Sequence, residues 1–106
     1  MVEVLIERDE EGRVQAVSLR GEESPEGLAA AALLEGPVMG MRHYLRLAPE
    51  VEREGAEVRF RVDRSDIFLD RELDAILETM VLGFRWLERD RPDRVAVREV
   101  GMDIKV

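Results

Sequence analysis

From Leu69 to Leu87 the chain places Leu69, Leu73, Ile76, Leu77, Met80, Phe84 and Leu87 at steps of three and four, the spacing that lays one apolar stripe along a helix. A helix with such a stripe folds only if a second layer covers it, so the rest of the chain must supply one. It does so in segments of period two. Val2, Val4 and Ile6 alternate with Glu3, Leu5 and Glu7, and Val14 to Leu19 follows the polar turn Asp9-Glu10-Glu11-Gly12, which reads as a hairpin. Val51, then Val58, Phe60 and Val62 opposed by Glu57, Arg59, Arg61 and Asp63, form a second hairpin turning at Glu54-Gly55. The helix runs from about Asp70 to Asp90, Pro92 stops it, and a last strand, Val95 to Val100, leaves a tail ending at Lys105-Val106. Before the second hairpin, Ser24 is an N-cap, Pro25 the first helical residue and Glu26 a first-turn acid. The stretch Leu28 to Leu47 continues as helix until Pro49, with Gly36-Pro37 kinking it or splitting it in two. The expected fold is a two-layer α+β domain over residues 1–106, a largely antiparallel sheet with two main helices in the order β-β-α-β-β-α-β.

Composition removes several functions. The chain has no cysteine, which excludes disulfides, thiolate metal sites and thiol nucleophiles together. A net charge of −8 opposes direct nucleic-acid binding, which needs clustered Lys and Arg. No run is apolar enough to span a membrane, and Met1-Val2-Glu3-Val4 lacks a signal-peptide pattern, so a cytoplasmic location is expected. Only one of the 16 basic residues is lysine, Lys105, Asn is absent, and Gln15 is the single Gln; a heat-adapted source and a GC-rich genome explain this equally well.

The polar residues suggest structure more than chemistry. His43, the only imidazole, has no sequence partner marking a nucleophile or metal ligand and reads as a helix-surface residue. Ser24 is a cap, Ser18 lies in a strand, Ser65 in a loop and Thr79 on a helix, and no nucleophile elbow accompanies them. Asp63, Asp66, Asp70 and Asp74 could gather a hard cation if they converged, but they lack an EF-hand spacing and read as a solvated helix start. Gly21, Gly27, Gly36 and Gly40 do not form a phosphate loop. No metal or cofactor is expected.

Three segments together resemble the ribosomal-processing cysteine protease family Prp. Leu77-Glu78-Thr79-Met80-Val81-Leu82-Gly83-Phe84, then Arg91-Pro92-Asp93 and Val95 to Val97, is similar to the family's C-terminal Leu-Glu-Thr-Leu-Val-Leu-Gly-Leu, Tyr-Pro-Asp and strand. Ile6 to Arg13 is similar to its opening hairpin. Gly21 to Ala32 stands where the family has Gly-His-Ala, a short loop and Asp-Ile-Val-Cys-Ala-Ala at a helix start. The similarity covers Val4 to about Val97, with a shortened loop after Gly21 and no counterpart for Gly36-Pro37.

The resemblance implies a scaffold whose active relatives cut the N-terminal extension of a large-subunit ribosomal protein with a His base and a Cys nucleophile. Here the His position is Glu22 and the Cys position falls on Ala29 or Ala30, so both halves of the dyad are missing. The expectation is a chain that is no enzyme and serves as a homodimeric binding or assembly module. Gly21, Glu22 and Ser24 would hold a ribosomal or other peptide, and Trp86 would anchor the dimer. Two alternatives stay open: a hydrolase with Ser24 as relocated nucleophile and Glu22 or His43 as base, and a purely structural dimer.

Overall fold

The structure, a computed structural model, describes residues 1–21 and 23–101. Strands β1 (Val2–Arg8) and β2 (Val14–Arg20) form the first hairpin, β3 (Glu50–Glu54) and β4 (Glu57–Arg61) the second, and β5 (Val95–Gly101) ends the described chain. They make one mixed sheet in the order β3-β4-β2-β1-β5. Three of its pairings are antiparallel and the β1–β5 pairing is parallel. The tail to Lys105-Val106 lies outside the described residues.

Alternation decides the two faces. Val2, Val4, Ile6, Val17, Leu19, Phe60, Val95 and Val97 are buried under the helices. A register shift between Glu7 and Arg8 pairs Arg8 with Val14, so Val14 joins the same buried layer. The other face carries rows of alternating charge that pair across strands, Arg59 with Glu7 at 3.0 Å and Arg20 with Glu57 at 3.3 Å.

Helices α1 (Pro25–Tyr44) and α2 (Asp70–Asp90) lie side by side on the apolar face. They run in opposite directions: Glu26 at the start of α1 meets Arg91 at the end of α2, and Leu33 lies over Gly83. Ion pairs place α1 toward β3 (Glu35–Arg53) and α2 toward β1 and β5 (Arg8–Glu78, Arg85–Glu99). The α2 stripe is buried as its spacing requires, with Leu73, Leu77, Met80, Val81, Phe84 and Leu87 in the core.

Helix α1 is not split at its middle, and it ends earlier than expected. It is one helix, unbroken at Pro37. A proline there costs about 3 kcal/mol through the lost bond and the clash with the Leu33 carbonyl. Leu34, Val38 and Met41 are fully buried on both sides of it, and each contributes about 1.5–3 kcal/mol by burial, which outweighs the break. The helix stops at Tyr44, before Pro49, because Arg46 takes φ 57° and the Leu47 amide turns back to the Met41 carbonyl at 3.0 Å.

Ionic networks close both flanks of the α2 layer. Arg8 donates to Glu78 at 2.6 and 3.0 Å and to Glu99 at 2.8 Å, and Arg85 donates to Glu99 and Glu88. Glu88 and Arg85 also satisfy the amide and carbonyl of Val97 on the edge strand β5, which blocks further strand pairing at that point. At the start of α2, buried Arg64 donates to the Val14 carbonyl, Asp70 and Asp74 at 2.7, 2.9 and 2.7 Å. The Arg64 guanidinium, against the cost of burial and with help from Arg13, holds the Asp70 carboxyl below its ordinary value. Burial pushes Glu99 up, but Arg8 and Arg85 outweigh it and leave that carboxyl lowered too.

A carboxyl whose pKa is lower folded than unfolded stabilises the fold above its unfolded pKa, and that stabilisation is lost as pH falls through the folded value. The unfolded values are near 3.8 for Asp and 4.5 for Glu. The urea midpoint is therefore expected to be flat above about pH 5 and to fall below about pH 4, with a shallower fall in Glu99→Gln. A midpoint that rises on acidification would contradict these pairings.

Candidate functional site

The exit of β2, the start of α1 and the tip of the β3–β4 hairpin enclose an open groove of about 720 Å³, within the size range of ligand sites. Two backbone features build it. Gly55 turns the hairpin at φ 61°, a left-handed conformation that glycine adopts without strain. The Gly21 amide then donates to the Ala56 carbonyl at 3.2 Å, tying the hairpin tip to the β2 exit. Ser24 starts α1 beside this junction: its hydroxyl accepts the Gly27 amide at 3.0 Å and its carbonyl accepts the Leu28 amide at 3.0 Å.

Leu19, Ala31, Ala56 and Val58 give the groove an apolar lining, Glu23, Glu35 and Arg53 supply its charges, and Glu57 borders it with its carboxylate turned to Arg20. Arg53 grips Glu35 bidentately at 2.5 and 3.0 Å, joining α1 to β3 across the groove. That contact, against the cost of burial, holds the Glu35 carboxyl below its ordinary range.

Of the residues expected to recognise a peptide, Gly21 and Ser24 line the groove, while Glu22 lies outside the described residues. Ala29 and Ala30 do not line it; Ala30 is wholly buried in the core. The α1 side chains facing the groove are those of Ser24, Leu28, Ala31 and Glu35, with Gly27 among them. His43 is exposed in the last turn of α1, about 28 Å along the helix axis from Ser24, too far to serve as its base. Ser24 instead holds the helix cap. The four aspartates do not form a cation site. Asp70 and Asp74 converge on Arg64, Asp63 accepts the Ser65 amide and Asp66 the Phe68 amide. Among the described residues no group of three or more side chains is placed to hold a metal.

The far wall of the groove, Arg53, Ala56 and Glu57, was not foreseen. The Gly55 turn is visible in the sequence, but its seat beside the α1 start is a tertiary fact. Among the described residues no helix is long and apolar enough to cross a membrane.

No family model matches the chain, and no curated protein matches it. Solved structures do. The essential ribosomal processing protease Prp from S. aureus, in complex with a covalently linked product peptide, superposes with a TM-score of 0.83 at 21% identity, over 94% of this chain and 100% of that one. The same protease in complex with a substrate peptide gives 0.82 at 21% identity over the same shares. SMU.848 from Streptococcus mutans gives 0.82 at 15% identity, over 96% of each chain. The chain has the Prp fold that its motifs implied.

This overturns the expectation of a chain that is no enzyme. The frame it shares is that of a protease solved with product and substrate peptides. The absence of cysteine removes one nucleophile, the thiolate.

Proposed function

We propose that this protein binds an extended peptide segment in the groove between the start of α1 and the β3–β4 hairpin, and that the segment comes from a ribosomal protein or another cytoplasmic partner. The observation that carries this reading is the groove itself, apolar-lined and open at the surface, in a fold whose S. aureus representative was solved with peptide. Leu19 and Val58 offer the floor for apolar side chains, and Gly21, Gly27 and Gly55 let a peptide backbone approach closely. Selection of a displayed random heptapeptide library on the purified full chain tests it. Enrichment of related sequences whose binding shifts the NMR signals of Gly27, Ala31 and Ala56 is the expected result. Absence of any enrichment would sink the reading.

A two-fold dimer is favoured by a separate feature. Leu82 and Trp86, one helical turn apart on the outer side of α2, are 69% and 56% exposed, and an exposed indole beside leucine suits an interface anchor. Sedimentation is expected to give a dimer at micromolar concentration and a monomer for Trp86→Glu; a monomeric parent protein would refute it.

A further inference from the structure

We infer that Glu35 selects a basic side chain of the bound peptide, and that Arg53 is the stand-in that occupies Glu35 while the groove is empty. The inference rests on the peptide reading above and deepens it. Ser24 to Glu35 spans about 16 Å along α1, room for about five residues of extended chain, and Glu35 with Arg53 stands at the far end of that run.

The charged groups on the helix side of the groove are unequal: Glu23 and Glu35 stand with the single base Arg53, while the Glu57 carboxylate turns to Arg20 on the other sheet face. Arg20 engages Glu57, Arg53 engages Glu35, and Glu23 has no ion-pair partner among the described residues. An acidic residue entering the groove meets two carboxylates and a guanidinium already committed. A lysine or arginine meets the reverse.

Arg53 is held loosely enough to yield. Its side chain is 56% exposed and that of Glu35 34%, and ion pairs in water contribute little net stability. Arg53 and Glu35 meet at the surface, across the groove mouth, so an incoming cation that replaces Arg53 disturbs no core contact. The entering group keeps the Glu35 carboxylate paired, and the released Arg53 returns to solvent. Glu35 stays ionised at neutral pH because its carboxyl is held below the ordinary range.

The library selection is run in parallel on the parent protein, Glu35→Gln and Arg53→Gln, each checked for an unchanged melting profile. The parent is expected to enrich peptides with Lys or Arg at one fixed position among apolar residues. Glu35→Gln should still enrich apolar peptides but lose the basic preference. Arg53→Gln should bind the best Lys peptide about fivefold more tightly, the scale of one exposed ion pair, with no change for the same peptide carrying norleucine at that position. Enrichment of neutral or acidic residues there, or a basic preference that survives Glu35→Gln, overturns this inference and leaves the peptide reading standing. No enrichment on any of the three proteins overturns both.

Discussion

Phe84→Ala is expected to lower the unfolding free energy by about 3–5 kcal/mol, the range for truncating a buried phenylalanine. Phe84 has no exposed surface and sits in the same core as Phe60, Leu34 and Leu77, where helix α2 meets the sheet. Removing the ring loses its transfer energy and leaves a cavity that two rigid layers cannot collapse to fill. A domain of this size holds only about 5–15 kcal/mol in all, so the variant should melt at least about 12 °C lower, at roughly 4–8 °C per kcal/mol. Phe68→Ala is the control. That ring is 87% exposed in the turn before α2, and its removal should change stability by less than about 0.5 kcal/mol. Urea midpoints with an unchanged slope measure both. Comparable effects of the two variants would mean that α2 does not pack through the stripe seen here.

The contrast between the helices shows what could be read from the sequence. In α2 the apolar stripe recurs every third or fourth residue and most of the charged residues lie off it, so its buried face and its bounds, Asp70–Asp90, were legible. Helix α1 is apolar on nearly all sides. In the run Ala29-Ala30-Ala31-Ala32 each residue turns 100° from the last, yet all four have the same chemistry. The sequence therefore could not say that Ala30 enters the core while Ala31 faces the groove. Nor could it place the groove's second wall, because the seat of the β3–β4 hairpin depends on β4 pairing with β2, some forty residues earlier in the chain. Arg64 was missed for a different reason. Arginine is rarely buried, so the aspartates at 70 and 74 read as a solvated helix start and not as the partners of an interior guanidinium.

That ambiguity in α1 makes the most direct test of the groove. Ala31→Trp is expected to weaken peptide binding by at least about thirtyfold, the loss that follows from denying an anchor residue its pocket, with the fold intact. Ala31 is half-buried on the helical wall opposite Val58, and an indole there fills space an occupant would need. Tryptophan is an acceptable helix residue, costing well under 1 kcal/mol relative to alanine, and the groove is open enough to accept it without pressing on the core. Ala32→Trp places the same indole one residue on, at an exposed position outside the groove, and should leave peptide affinity unchanged. The pair thus holds composition, helix propensity and added hydrophobicity constant and varies only the direction of the side chain. Should Ala32→Trp be the damaging variant and Ala31→Trp the silent one, the occupant would sit on the exposed side of α1, and the groove would not be the binding site.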